Sequence, residues 1–368
     1  MRKNNEIPVC FEGRPIYDIV LEEGLTSLSD RFLKSVPECG KVLLVSDSRV
    51  AGLYLEDTVK ALSSAGVGTE TYVFPEGEKN KTLDTVREIY GKLAGCRFQR
   101  GDCLAALGGG VTGDITGFAA ATYLRGVRFI QLPTTVLACC DSSIGGKTGV
   151  DFDGWKNYVG AFHMPSLVFM NMGFLRSLDD RQYRAGMAEA VKSALIRDRS
   201  MFEDMLEDTA SINARKPEVV SDIIYRSCLI KKSVVEIDPE EKGVRAVLNF
   251  GHTLGHAIEK LSGFSMLHGE CVSVGSVLAS YISMKRGMIS EKEYSDIVTL
   301  LDSLGLPVRT PPDISLDEVI AAAHSDKKAL GSSIKFILLE GIGNGIIDRS
   351  VTDGEMYDAL VALKGQAS

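Results

Sequence analysis

In the first half of the chain, apolar positions come in short, nearly unbroken runs. Residues 41–46 (Lys-Val-Leu-Leu-Val-Ser) form one and end at Asp47; residues 70–74, 103–107, 127–132 and 167–170 form others. Runs of this length without polar alternation predict strands buried on both faces of a parallel sheet. Between them, Leu83, Val86, Ile89, Tyr90 and Leu93 recur at helical spacing over residues 82–93, and glycines after Leu107 open a small-residue helix to about Tyr123. Strand and helix alternating in this way predict βαβ crossovers. After about Gly173 the period lengthens. Residues 181–197, 217–235, 246–261, 271–286 and 291–304 all read as helices. The pattern predicts an α/β chain in two parts, 1–175 with a Rossmann-like sheet and 176–368 mostly helical. No flexible linker separates them, and no internal repeat or low-complexity tract is visible.

Composition narrows the class. The 368 residues are 45% hydrophobic and 24% charged, ordinary for a folded enzyme and unlike a disordered or fibrous chain. Forty-one Lys and Arg against 49 Asp and Glu give a net charge of −8, which argues against nucleic acid or a membrane surface as partner. An anionic ligand must then be held by a local cationic cluster. The first residues, Met1 to Pro8, are polar and carry no signal-like apolar core, and the uncharged stretch 271–282 is too short to span a bilayer. Eight cysteines at 10, 39, 96, 103, 139, 140, 228 and 271 make no CxxC pair and lie largely in apolar runs. They read as reduced thiols of a cytoplasmic protein.

Residues 108–113, Gly-Gly-Gly-Val-Thr-Gly, satisfy G-x-G-x-x-G between a predicted strand and a predicted helix. Such a loop lets backbone N–H groups approach a pyrophosphate. The acidic residue expected about 20 positions downstream is missing. Asp47, ending an earlier strand, is the better candidate for a ribose hydroxyl, with Glu78 and Lys81 in the loop after another strand. The plainer reading is that the glycines only make a tight turn.

Three of the five histidines fall between Asn249 and Gly269. On a continuous helix, Arg245, Asn249, His252, His256 and Glu259 would cover an arc of roughly 80° on one face. Gly251 and Gly255 beside it would allow close packing. A guanidinium, an amide and two imidazoles are too polar for a core, although a wet surface with structural histidines would look similar. His252 and His256, at i and i+4, could share a metal, but HExxH is absent because Thr253 follows His252. His268 precedes Gly269-Glu270 in a loop opening the next helix. Glu189 and Lys192, at i and i+3, put a carboxylate and an ammonium on one helix face. A catalytic zinc needs three N or O ligands and an open position. Glu189, His252 and His268 would suit, and spacing alone does not select them over His256.

Residues 141–149 resemble a phosphate-binding P-loop only superficially, since the first required glycine falls at Asp141. ATP binding there is rejected. Lys147, Lys156, Lys192, Lys231 and Arg245 are each explicable as surface charges. If they converge, they would attract a multiply charged anion.

Taken together, these motifs resemble the 3-dehydroquinate synthase family. The resemblance rests on residues 108–114, 120–128, Pro133-Thr134-Thr135, 141–149, Lys156-Asn157, Gly186-Met187-Ala188-Glu189, residues 248–253, His268-Gly269-Glu270, Asp326-Lys327-Lys328 and 338–343. It runs in order from about residue 41 to about 345. It implies an N-terminal NAD-binding α/β domain, a C-terminal helical metal- and substrate-binding domain, and a cytoplasmic homodimer. It also implies tightly held NAD and a divalent metal, usually zinc, with cobalt possible. The implied substrate is a small phosphorylated sugar acid, 3-deoxy-D-arabino-heptulosonate 7-phosphate. Transient oxidation by NAD, phosphate elimination, re-reduction and intramolecular aldol closure convert it to 3-dehydroquinate, the second step of the shikimate pathway, on the way to chorismate and the aromatic amino acids.

By the same resemblance, Glu189, His252 and His268 are the metal ligands. Asp47, Glu78, Lys81, Gly109, Gly110, Val111, Asp114, Thr134 and Thr135 contact NAD. Lys147 and Lys156 lie near both cofactor and substrate. Asp141, Lys192, Lys231, Arg245, Asn249 and His256 contact substrate, Asn157 and Lys328 its phosphate, and Arg125 reaches the other subunit's site. The chain departs from the family pattern at Arg49, Asp151, Trp155 and Cys139-Cys140, none of which removes a matched ligand. Three other readings compete. One is another sugar-phosphate cyclase, of amino-dehydroquinate, valiolone or inosose type. Another is an NAD- and metal-dependent polyol dehydrogenase, and the third is a silent homologue acting as a binding protein.

Overall fold

A computed structural model describes residues 5–263, 265–328 and 334–365, the side chains of 325–328 excepted. Two compact units result. One holds the described residues up to Leu178 together with Val235–Glu240; the other holds Asp179–Val234 and the described residues from Glu241 onward.

The first unit is built on strands β1 (Glu6–Phe11), β2 (Arg14–Glu22), β3 (Lys41–Asp47), β4 (Gly68–Phe74), β5 (Cys103–Gly108), β6 (Arg128–Pro133), β7 (Lys147–Phe152), β8 (Trp155–Phe162) and β9 (Leu167–Asn171). Seven of them make one sheet in the order β1-β2-β9-β6-β5-β3-β4, parallel except for the β1–β2 pair. Helices α1 (Leu28–Ser35), α2 (Ser48–Ser63), α3 (Leu83–Gly95) and α4 (Gly110–Thr122) cover it. The unbroken apolar runs follow from burial on both faces. Val42 and Leu44 of β3 pack in one core with Leu28, Phe32 and Leu62. Leu43 and Val45, pointing the other way, pack with Val86, Ile89, Ile115 and Phe118.

The order of strands locates a crevice. From β3 the chain moves outward to β4 and then returns to β5 on the opposite side of β3. Neighbouring connections therefore leave β3 and β5 in opposite directions, and ligands of open parallel sheets bind at the carboxyl ends of such a pair. Asp47 ends β3, and Gly108 ends β5.

β7 and β8 form a separate antiparallel hairpin that the sequence pattern does not predict. It begins at Lys147, directly after the non-strand residues Gly145 and Gly146. Five of the eight residues of β8 are exposed, so no apolar run marks it.

The second unit is mostly helical: α5 (Asp180–Arg197), α6 (Arg199–Glu207), α7 (Thr209–Asn213), α8 (Pro217–Ile237, whose last residues belong to the first unit), α9 (His252–Leu261), α10 (His268–Lys285), α11 (Glu291–Ser303), α12 (Leu316–Lys328) and α13 (Asp353–Ala362). A two-stranded ribbon, β10 (Phe336–Leu339) and β11 (Gly345–Asp348), is added. The helix expected over 246–261 is not continuous. Val244–Asn249 is a 3-10 helix, Phe250 is extended at ψ 130°, and Gly251 takes φ +78° before α9 begins. Only a residue without Cβ adopts that φ readily. A Cβ there would also lie 2.6 Å from Ser276 Oγ.

No described helix is long and apolar enough to cross a membrane, and among the described residues no disulfide joins any of the eight cysteines.

At the end of α10, Arg286 grips Glu355 of α13 through Nε at 2.6 Å and Nη2 at 2.8 Å. These bonds hold the Glu355 carboxyl down to about 2; partial burial opposes them, and the Thr352 N–H assists. A carboxyl whose folded pKa lies below its unfolded value stabilises the fold at neutral pH. It loses that contribution as pH falls from about 4.5 towards about 2. Arg286→Met should therefore cost about 1 kcal/mol at pH 7 and much less at pH 2.5. Urea midpoints at the two pH values test this, and an equal loss at both would contradict it.

Candidate functional site

In the first unit, the residues proposed from the sequence gather at the carboxyl ends of the strands. Asp47 Oδ1 accepts the Arg49 and Val50 N–H groups at 3.0 Å each and so caps α2. Its second oxygen is 3.4 Å from the Thr112 hydroxyl in the first turn of α4. Gly109, Gly110 and Val111 form the start of that helix, and no side chain caps it. The Thr134 N–H donates to Gly108 O at 3.0 Å, bringing the end of β6 beside the glycine loop. A Cβ on Gly109 would meet Thr135 at 3.2 Å, and one on Gly110 would meet Ser142 at 3.1 Å. That packing sets Asp141, in the π-helical turn Ala138–Ser142, close in the chain to the same corner.

A second group centres on Lys81, which is 4% exposed. Its ammonium donates to Asp114 Oδ2 at 2.6 Å and to the Asn157 side-chain oxygen. Burial alone would lower the Lys81 pKa, but Asp114, Glu78 and Asp151 outweigh it and raise it, so the charge is kept. Glu78 faces Lys156 at 3.6 Å. Asp151 accepts the Asn157 N–H at 2.8 Å and donates its own N–H to Lys81 O at 2.9 Å. This bridging role was not evident from the sequence, where Asp151 registered only as a departure from the family pattern.

The five cationic residues singled out in the sequence are drawn from both units. Lys147 and Lys156 stand near opposite ends of the β7–β8 hairpin, in the first unit. Lys192, Lys231 and Arg245 belong to the second. Arg125, exposed, has φ +67° in the turn after α4. The Lys328 side chain lies outside the described residues.

The second unit holds the candidate ion site. Glu189, 1% exposed, lies on α5; its Oε1 is 3.8 Å from His252 Nε2 and 3.4 Å from His268 Nε2. Lys192, one turn along and 2% exposed, forms an ion pair with Glu189 Oε2. Nitrogen atoms of His252, His256 and His268 lie within 4.8 Å of one another, with His256 the exposed member. Two close backbone contacts set this geometry. A Cβ on Gly269 would sit 1.8 Å from Ala185 O, so α10 meets α5 one residue after His268. A Cβ on Gly275 would sit 1.9 Å from Gly251 O, which seats the start of α9 on α10.

The single helical face expected for Arg245, Asn249, His252, His256 and Glu259 is corrected by the break at Phe250 and Gly251. Only the last three share α9. Arg245 and Asn249 lie on the preceding 3-10 turn, where Arg245 is 2% exposed and the Asn249 amide donates to Glu241 Oε1 at 2.8 Å. The break has a use. It frees the Phe250 carbonyl to accept from His252 Nδ1 at 3.0 Å. A carbonyl only accepts, so Nδ1 carries the proton and Nε2 is left as a donor to a cation.

Electrostatics agree with that role. Burial first, then the Lys192 ammonium, pushes His252 well below its ordinary pKa, so the ring is neutral, the form that ligates. Burial would lower His268 as well, but hydrogen bonds to Glu189 and Glu259 overcome it and raise it to about 9. The two carboxylates that favour a proton there would favour any cation. One oxygen donor and two imidazoles, with the exposed His256 as a further nitrogen, fit Zn2+ or Co2+.

Residues 71–185 match the family model for the 3-dehydroquinate synthase N-terminal region, and residues 186–329 match that for the 3-dehydroquinate synthase C-terminal region. A 3-dehydroquinate synthase of Acetivibrio thermocellus is 44% identical over 334 residues, covering 91% of this chain and 92% of that one. Among solved structures, the 2-epi-5-epi-valiolone synthase of Streptomyces hygroscopicus subsp. jinggangensis, with NAD+ and Zn2+ bound, is 30% identical at TM-score 0.87, covering 94% and 96%. A 2-deoxy-scyllo-inosose synthase complexed with carbaglucose-6-phosphate, NAD+ and Co2+ is 27% identical at TM-score 0.86, covering 96% and 99%.

Proposed function

The chain belongs to the 3-dehydroquinate synthase family, and from that premise we propose that it converts 3-deoxy-D-arabino-heptulosonate 7-phosphate to 3-dehydroquinate and phosphate. This is a carbon–oxygen lyase reaction, the second step of the shikimate pathway, carried out in the cytoplasm by a homodimer. When bound, NAD supplies a reversible hydride acceptor and the divalent ion a Lewis acid, so neither is consumed. The observation that carries the reading is the meeting of Lys192, His252 and His268 around the buried Glu189 carboxylate.

Each residue then has a task. Glu189, His252 and His268 hold the ion. The first unit would hold the cofactor: Asp47, Glu78, Lys81 and Asp114 would contact it, and the glycine loop at Gly109, Gly110 and Val111 would take its pyrophosphate. Thr134, Thr135, Lys147 and Lys156 complete that surface. In the second unit, the buried ammonium of Lys231 and guanidinium of Arg245 hold the substrate carboxylate, where low dielectric strengthens a charged hydrogen bond. Lys192 keeps a proton beside the hydroxyl whose carbon is oxidised and re-reduced. Asp141, Asn249 and His256 orient the carbon chain. Asn157 and Lys328 take the phosphate, with Arg125 from the second copy.

The alternative cyclase readings are not favoured. The structural neighbours of valiolone and inosose type are 30% and 27% identical, against 44% for the dehydroquinate synthase. The carboxylate decides between them experimentally. We expect kcat/KM for the heptulosonate phosphate to exceed that for a heptulose 7-phosphate lacking the carboxylate by at least about 100-fold, since the neutral sugar cannot form the charged hydrogen bonds to Lys231 and Arg245. A preference for the neutral sugar would place the chain with the valiolone-type enzymes.

A further inference from the structure

Glu259 is the one member of the polar run from Arg245 to Glu259 to which the proposed reaction gives no task. It lies on α9 one turn beyond His256 and two beyond His252, and is 4% exposed. Burying a carboxylate is costly unless it is paired, so its placement calls for a partner that uses the charge. One such partner is His268, whose Nδ1 lies 3.3 Å from Glu259 Oε2. The opposite nitrogen of that ring, Nε2, is 3.4 Å from Glu189 Oε1. The imidazole is thus held between two carboxylates of different kinds. One is on the ion-site side, and the other is behind it.

His252 is arranged in the same way with a backbone group in place of the carboxylate. Phe250 O accepts from its Nδ1, and its Nε2 faces Glu189. The two rings therefore present the same nitrogen to the same carboxylate, each fixed from behind by an acceptor. Rings that ligate metals are held in this manner by outer partners, which set the tautomer and raise the basicity of the ligating nitrogen.

We propose that Glu259 is a positioning residue of the ion site: it holds the His268 ring with Nε2 towards Glu189 and strengthens that nitrogen as a donor. The inference rests on the reading of Glu189, His252 and His268 as ligands. Glu259 touches neither substrate nor cofactor in this account and acts only through His268.

The test uses the full chain and Zn2+ or Co2+ alone, titrated in competition with a chromophoric chelator. Glu259→Leu, which removes the acceptor, should weaken binding by ~10- to 100-fold. Glu259→Gln, which keeps an acceptor without charge, should fall between, at about 10-fold or less. At saturation the visible absorption of the Co2+ form should differ from wild type in Glu259→Leu, because the ring is no longer fixed. A merely structural role would lower the thermal midpoint and leave affinity and the Co2+ spectrum of the folded protein unchanged. If Glu259→Leu does not fold, Glu259→Gln decides. Wild-type affinity and spectrum in the folded variants overturn the role of Glu259 alone. Failure of the wild-type chain to take up one ion overturns the ligand reading itself, and this inference with it.

Discussion

His268→Ala is expected to leave the chain folded while abolishing stoichiometric Zn2+ or Co2+ binding and lowering turnover by at least about 10^3-fold, the several kcal/mol that a Lewis acid contributes to charge stabilisation. The expectation follows from ligand number. Removing His268 leaves Glu189 and His252, and two protein ligands seldom hold such an ion tightly. The fold should survive because His268 is the first residue of α10, and Gly269 and Gly275, not the imidazole, set that helix against its neighbours. Metal content after desalting, read beside circular dichroism, tests both halves. His256→Ala should keep its ion. Retention in His268→Ala with loss in His256→Ala would transfer the ligand role to the exposed histidine.

Arg245→Ala should lower kcat/KM by about 1.5–3 kcal/mol, the scale of a charged hydrogen bond to the substrate, or roughly 10- to 150-fold. Arg245 is among the largest fully buried side chains of the protein, on the 3-10 turn that precedes α9. Burial places the guanidinium in low dielectric, where a hydrogen bond to an anionic substrate group is strengthened. Arg245→Lys keeps the charge but loses the planar fork, and should lie between wild type and alanine. A wild-type kcat/KM in a folded Arg245→Ala would place Arg245 away from the substrate.

The parts of this molecule legible in the sequence are those with one dominant physical signal. β3, β5, β6 and β9 are buried on both faces, and burial on both faces writes an apolar run. Pairing in the β7–β8 hairpin is just as regular, but β8 is half exposed and mixes aromatic with polar residues, so no run or strict alternation marks it. The β1–β2 pair escaped for a related reason: β2 opens with three exposed residues before its buried stretch.

The candidate site divides along the same line. Glu189 with Lys192, and His252 with His256, share helix faces, and i, i+3 and i, i+4 spacing reports that directly. The break at Gly251 was invisible because a 3-10 turn followed by an α-helix preserves nearly the same spacing of polar residues. Its sign was a glycine just ahead of the first histidine, which also fits ordinary close packing. The approach of His268 to Glu189 is a tertiary event, fixed by backbone contact at Gly269. Asp151 and Glu259 act through partners distant along the chain or on another element, and no local pattern announces such a partner.

The central claim is that the cofactor is reduced and reoxidised within each turnover. The most direct test incubates metal-loaded protein with 3-deoxy-D-arabino-heptulosonate 7-phosphate and catalytic NAD, following inorganic phosphate and NADH absorbance together. The account predicts many equivalents of phosphate per equivalent of NAD, with no accumulating NADH. Steady NADH formation without phosphate release would contradict it and make the protein a dehydrogenase built on this fold.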